Sequence, residues 1–162
     1  MKIYIGKSKV HGKGVFASRD IKKDEIVSLI KGKIVNWVVV DKKTSAYGPN
    51  WIGCGKNKWI DPEPPFNYLN HSCNPNIGRK GLRTIVALKN IKKGEEISID
   101  YSVTEHDQLW QLDKRCKCGS KSCRKVIKSI QFLPKKVYNR YVSYVPNFFQ
   151  KVYIGYNKKN GN

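Results

Sequence analysis

Along the first hundred residues the apolar positions come in short runs broken by turn residues, a pattern that predicts strands rather than long helices. The strand candidates are Lys2–Ile5, Gly14–Ala17, Ile26–Ile30, Lys33–Val39, Arg83–Ala87 and Glu96–Ile99. Two of the intervening turns share a sequence, Ile21-Lys22-Lys23-Asp24-Glu25 and Ile91-Lys92-Lys93-Gly94-Glu95, and each leads into an apolar strand. This is one turn solution used twice and no proof of duplication.

The pattern changes after residue 103. Thr104–Asp113 reads as a short helix, with Thr104 and Asp107 at capping-box-like spacing and Leu109, Trp110 and Leu112 apolar. Further on, Pro134 opens a helix whose apolar stripe is Val137, Tyr138, Tyr141, Val142 and Val145, closed by Pro146. A shorter helix is expected around Phe148–Tyr153, and Asn157–Asn162 reads as a frayed end. The aromatic stripe is read as packing rather than as a ligand site.

A chain of 162 residues has room for one domain and a short appendage. No apolar run approaches the roughly 18 residues that span a bilayer, and the start has no signal-peptide core, so no membrane contact and an intracellular setting are expected. Charge alters the picture more. Lys and Arg number 32 against 12 Asp and Glu, and from Lys114 to Asn162 there are thirteen basic residues and no acid. Such a face attracts phosphate backbones or acidic surfaces. Lysine-rich coding bias is the plainer explanation, and the sequence leaves both open.

Chemistry concentrates in four segments: His11-Gly12-Lys13-Gly14-Val15-Phe16-Ala17, Tyr68-Leu69-Asn70-His71-Ser72-Cys73-Asn74-Pro75-Asn76, Gly94-Glu95-Glu96-Ile97-Ser98-Ile99-Asp100-Tyr101-Ser102, and Cys116-Lys117-Cys118-Gly119-Ser120-Lys121-Ser122-Cys123. The glycine pair permits close backbone approach but lacks the third glycine and helix of a dinucleotide fingerprint. The dense polar run around His71 requires solvent or a bonding network. The Cys-x-Cys-x4-Cys spacing is too cramped for a disulfide framework and reads as metal ligation.

In this order and spacing the segments resemble the SET-domain lysine methyltransferases with a post-SET zinc segment, in a small stand-alone form. The resemblance covers about residues 1–127. It implies a mainly β (α+β) fold of several short sheets with a pseudoknot, a post-SET zinc segment and a C-terminal helical tail. The expected divisions are 1–103 for the SET domain, with a variable insert at about 32–61. A linker helix and zinc segment take 104–127, and a basic, aromatic helical extension takes 128–162.

The resemblance also assigns roles. Gly12, Lys13 and Gly14 would lie along S-adenosylmethionine, and Asn70 and His71 would contact it. Tyr101 would border both cofactor and lysine channel as a catalytic residue, with Tyr47 as the second channel tyrosine. Cys73 would join Cys116, Cys118 and Cys123 on one Zn2+, leaving Cys54 as a small buried hydrophobe. Ile99, where the family often has Phe or Tyr, would leave room for higher methylation. Asp24 stands where a turn glycine is common, and no pre-SET cysteine cluster is present.

The implied reaction is S-adenosylmethionine-dependent methylation of a lysine on a protein substrate, with a histone or other DNA-associated protein as one option. The attacking amine must be neutral although its ordinary pKa is about 10.4, which a narrow apolar channel favours. Two alternatives stay open: an inactive SET fold acting as a basic module for nucleic acid or chromatin, and an unrelated zinc-ribbon nucleic-acid binder. A nuclear location is expected in a eukaryote and a cytoplasmic one otherwise.

Overall fold

The structure, a computed structural model, describes residues 2–36 and 50–161. Among the described residues, ten short strands form three small sheets: β1 (Ile3–Lys7), β2 (Lys13–Ala17), β3 (Ile26–Leu29), β4 (Gly32–Asn36), β5 (Ile52–Gly55), β6 (Lys58–Pro62), β7 (Asn70–His71), β8 (Ile77–Lys80), β9 (Thr84–Ala87) and β10 (Glu96–Ile99). The four-stranded sheet runs β1-β2-β10-β7, and the others run β3-β9-β8 and β4-β6-β5. This is the mainly β architecture of several short sheets that the sequence leads one to expect. Trp37–Val39, the end of one expected strand, lie outside the described residues.

Alternation explains the partly exposed strands. In β10, Ile97 and Ile99 are buried while Glu96 and Ser98 are only half-buried, the period-two pattern of a strand with one core face. β8 and β9 are covered on both faces and are almost wholly buried. The two Ile-Lys-Lys turns meet across the core: Ile21 and Ile91 exchange both backbone hydrogen bonds at 2.8 Å. In each turn the final glutamate accepts from the first lysine's N–H at 3.1 Å, Glu25 from Lys22 and Glu95 from Lys92. Asp24 (φ 66°) and Gly94 (φ 79°) occupy the same left-handed position, which explains why glycine is common there.

Residues 104–113 form turns rather than the expected helix. Local side chains have taken the backbone donors and acceptors that a helix would use. Thr104 Oγ1 donates to the Tyr101 carbonyl, Glu105 accepts from the N–H groups of His106 and Asp107, and Asp107 accepts from Leu109 N–H. Glu105 also takes the Trp59 indole N–H at 3.0 Å, which pins the segment to β6. Leu109 is left exposed.

At the C-terminal end, α1 (Lys135–Tyr141) does start after Pro134, but it passes into a 3-10 turn at Val142–Tyr144. Pro146, expected to close that helix, instead precedes α2 (Asn147–Lys159), which is longer than predicted and includes part of the stretch expected to fray. Tyr138, Tyr141, Val145, Phe149 and Tyr153 join the same core as the sheets. Two strand glycines seat these elements. A Cβ on Gly53 would come within 2.9 Å of the Phe149 ring, and one on Gly78 within 2.6 Å of the Tyr144 side chain.

Candidate active site and metal centre

The four chemistry-bearing segments converge because β10 is flanked by two partners. On one edge it pairs antiparallel with β2; on the other it pairs parallel with β7, Ser98 beside Asn70 and Ile99 beside His71. Asn76 extends this contact, donating to the Glu96 carbonyl at 2.8 Å and accepting from Ser98 N–H at 2.8 Å. The Asn70–Asn76 segment and the strand leading to Tyr101 thus lie side by side, as the expected pseudoknot requires.

Asn70 is buried, and its side-chain amide donates to the Lys13 carbonyl at 3.0 Å, the His11 carbonyl at 3.3 Å and Glu96 Oε1 at 2.8 Å. It therefore ties the glycine segment to β10. Gly14 has no room for a side chain, since a Cβ would stand 2.4 Å from Glu96 Oε1. Gly12 is the opposite case: at φ 51° it needs left-handed backbone, and nothing lies within 4 Å of the missing Cβ. Open space beside bare backbone is what a closely bound ligand requires. The Lys13 ammonium lies 5.1 Å from the Tyr68 ring centroid, so this residue offers the site its backbone more than its charge.

Tyr101 begins the 3-10 turn Tyr101–Val103 at the end of β10. Its N–H donates to His71 Nδ1 at 3.1 Å, and its hydroxyl donates to the Leu69 carbonyl at 2.7 Å. Burial, with the nearby charge of Glu96, pushes the phenol up to about 12, so it stays protonated at neutral pH. Its proton is committed to Leu69, which leaves the oxygen lone pairs to accept. Ile99 is buried beside His71. Tyr47 lies outside the described residues.

The cysteines gather as a second cluster, with Cys73, Cys116 and Ile127 buried and Trp110, Leu112, Cys118 and Cys123 packed against them. Ligand atoms of His71, Cys73, Cys116 and Cys118 all lie within 4.8 Å of one another. The Cys73 and Cys116 sulfurs are 4.0 Å apart, close to the roughly 3.8 Å that two thiolates on one tetrahedral zinc would show. Backbone N–H groups point at the sulfurs, from Cys73 to Cys118 at 3.4 Å and from Arg124 to Cys73 at 3.3 Å. Burial raises the Cys73 thiol to about 11 and raises Cys116 as well. At Cys118 burial also pushes upward, but N–H donors from Cys73 and Ser120 and the neighbouring Cys116 and Cys123 thiols together outweigh it and bring the thiol down to about 7. Packed thiols of this kind suit a divalent cation, which ionises them together.

Cys123 sits at the edge of this group, its thiol 3.4 Å from the Cys116 carbonyl, whereas His71 falls inside it. Hydrogen bonding distinguishes the two. His71 Nδ1 accepts from Tyr101 N–H, and burial brings its imidazolium down to about 4 against the pull of Asp100. A neutral ring accepting at Nδ1 carries its proton on Nε2, the nitrogen 3.3 Å from Cys73 Sγ. In that tautomer the nitrogen is a donor to the sulfur and has no lone pair for a metal, which leaves Cys123 a candidate for the fourth position. Cys54 is buried in the main core, away from this cluster.

Three residues complete the site without having been given a role of their own from sequence, although Glu96 and Asp100 lie in the Gly94–Ser102 segment. Glu96 accepts from Asn70 and from the Ser8 hydroxyl at 2.8 Å. Asp100, fully buried, accepts both arms of the Arg124 guanidinium at 2.6 Å. Their signals were positional only: Asp100 precedes Tyr101, and Arg124 follows Cys123.

A SET domain family model matches residues 12–102, more than half of the chain. The chain is 33% identical over 144 residues to the histone-lysine N-methyltransferase trithorax of Drosophila virilis, and 32% identical over 136 residues to histone-lysine N-methyltransferase 2B of Homo sapiens. These alignments cover 78% and 75% of this chain but only 4% and 5% of those relatives. Among solved structures, a humanized mutant of the Chaetomium thermophilum Polycomb Repressive Complex 2, bound to the inhibitor GSK126, superposes with a TM-score of 0.52 at 25% identity. That match covers 63% of this chain and 15% of the other. Paired β7 and β10, the glycine segment tied to Asn70 and the family match agree: the chain belongs to the SET-domain family.

Proposed function

We propose that the chain is an S-adenosylmethionine-dependent protein-lysine N-methyltransferase with one structural zinc. The observation that carries this reading is the Tyr101 hydroxyl, held protonated and anchored on the Leu69 carbonyl where the Asn70 and Gly12–Gly14 segments meet. S-adenosylmethionine, when bound, supplies a methyl group already activated for transfer. Gly12, Lys13 and Gly14 would offer it backbone groups, and Asn70 and His71 would hold its other side. The chain's own task is then alignment, which can supply several kcal/mol of barrier lowering. Tyr101 positions the incoming amine by accepting its N–H, so that the nitrogen lone pair faces the methyl group. With its proton on Leu69 and its phenol raised to about 12, Tyr101 is a poor general base, and the amine loses its proton to water before attack.

Zinc would be held by Cys73, Cys116, Cys118 and Cys123 as a closed four-thiolate site. The relatives are named for histone lysine, and we propose a histone or another DNA-associated protein as substrate, with a nuclear setting in a eukaryote. Twelve of the thirteen basic residues after position 113 are exposed, Arg124 being the exception, and they suit contact with nucleic acid. No described helix is long and apolar enough to cross a membrane.

Calorimetry of the zinc-loaded chain with S-adenosylmethionine, followed by methyl transfer to core histones, tests the reading. Binding and labelled lysine are expected; a folded, zinc-loaded chain that binds no cofactor would remove it. The inactive binding module uses the same exposed cations but gives the Tyr101 hydroxyl no task. Tyr101→Phe separates the two: most turnover should be lost while cofactor still binds. DNA affinity should fall steeply with salt, and salt-independent binding would exclude phosphate contacts.

A further inference from the structure

Asp100 is the one carboxylate in the described structure with no exposed surface at all, and its four hydrogen bonds come from three different parts of the chain. Oδ1 accepts from Ser102 N–H at 3.0 Å and from Arg124 Nη2 at 2.6 Å. Oδ2 accepts from Arg124 Nη1 at 2.6 Å and from the Tyr141 hydroxyl at 2.5 Å. Ser102 belongs to the turn that carries Tyr101, Arg124 follows the last cysteine of the metal cluster, and Tyr141 ends α1. The Arg124 fork fixes the carboxylate against the cysteine segment. The Ser102 N–H and the Tyr141 hydroxyl fix it from the other side.

The hydroxyl is what needs explaining, because a ring alone would fill this part of the core. Tyr138, one position earlier on the same helical stripe, shows the contrast. It stacks on Tyr153 with centroids 3.8 Å apart, and its buried hydroxyl has no partner among the described residues. Phenylalanine would serve there. At position 141 the hydroxyl is aimed at an ionised, buried carboxylate, a charge-assisted bond stronger than a neutral one. Burial and the Asp100 charge both raise the Tyr141 phenol, which keeps it a donor.

We infer that Tyr141 is a positioning residue for methyl transfer, holding the Asp100 carboxylate and through it the turn that aims Tyr101. This rests on the methyltransferase reading above and extends it. The matched SET segment ends at residue 102, yet α1, more than thirty residues later, completes the seat of the tyrosine that faces the substrate amine. Without the Tyr141 hydroxyl, Oδ2 keeps only its Arg124 donor, and the carboxylate is held chiefly by the cysteine segment. Tyr101 keeps its Leu69 and His71 bonds and Ser102 N–H keeps Oδ1, but the carboxylate that caps the turn is no longer held from the α1 side.

Single-turnover and steady-state methylation by the zinc-loaded, full chain, well below its melting temperature, test the inference. Tyr141→Phe should lower kcat about tenfold while KM for cofactor and for histone stay within about twofold, because misalignment acts on the transition state more than on binding. Tyr138→Phe should turn over like wild type. In a Tyr101→Phe background, Tyr141→Phe should cost nothing further, since the two act as a unit. Wild-type kcat in Tyr141→Phe, multiplying losses in the double variant, or a Tyr141→Phe chain with no cooperative melt would each overturn the assignment. Folded, zinc-loaded wild-type protein that binds no S-adenosylmethionine would remove the underlying reading instead.

Discussion

At the scale of single residues, the sequence was most legible where one residue type has one physical use. Gly12, Gly14 and Tyr101 stand out because open backbone, close approach and a half-buried phenol need those residues. Gly94 is the clearest case, since its φ of 79° lies in the left-handed region. Gly94→Ala should cost about 1–2 kcal/mol, the penalty an L side chain meets there. In thermal melts this lowers Tm by roughly 2–6 °C for a chain of this size. Asp24→Gly at the matching turn should be nearly neutral, because relief of the same strain is offset by loss of the Tyr144 hydroxyl's bond to Asp24. An unchanged melt for Gly94→Ala would contradict the turn geometry. Tyr101 gives a second residue-level expectation. Its pKa of about 12 lies above the unperturbed lysine value of about 10.4, so kcat should climb with pH as the substrate amine deprotonates. No downturn from phenol ionisation should appear below about pH 11. A rate that fell between pH 9 and 10 in the folded enzyme, and did not fall in Tyr101→Phe, would show that the phenol ionises earlier.

At the scale of elements, alternation revealed strands with one wet face and missed those without one. β8, Ile77–Lys80, contains Gly78 and a buried Arg79, and β7 is only the polar pair Asn70–His71, so neither carries a local strand signal. Both exist because of partners far along the chain. The reverse error fell on residues 104–113, where helix-like spacing lost to side-chain bonds from Thr104, Glu105 and Asp107. Three of the candidate metal ligands were legible from spacing alone, but the competition between His71 and Cys123 became visible only with the His71 tautomer. It predicts that Cys123→Ser loses zinc while His71→Ala keeps about one zinc per chain by metal analysis. X-ray absorption should show four sulfur neighbours near 2.3 Å. A nitrogen in that shell, or zinc retained by Cys123→Ser, would make His71 the ligand. Chelation should also weaken cofactor binding at least tenfold by calorimetry, because Cys73 lies two residues from His71. Unchanged affinity in the metal-free, folded chain would separate the metal from the cofactor segment.

At the scale of the whole molecule, the aromatic stripe from Val137 to Val145 showed that the C-terminal region buries a face, but nothing in its pattern said against what. The answer depends on Gly53 and Gly78, residues whose lack of a side chain is a signal only once Phe149 and Tyr144 are known to lie over them. Tyr138, Tyr141, Val145, Phe149 and Tyr153 are each less than one-tenth exposed within the common core. At about 1.5–3 kcal/mol per buried side chain they contribute roughly 8–15 kcal/mol, an upper figure because unfolded chains already bury some apolar surface. The total stability of a domain is only about 5–15 kcal/mol. A chain ending at Leu133 should therefore show no cooperative thermal transition and should expose apolar surface to a hydrophobic dye. A cooperative melt from that truncated chain would mean that the sheets and the cysteine cluster form a sufficient core alone. Because truncation removes packing and the Tyr141 hydroxyl together, only the single-atom change in Tyr141→Phe separates the extension's part in stability from its part in aiming Tyr101.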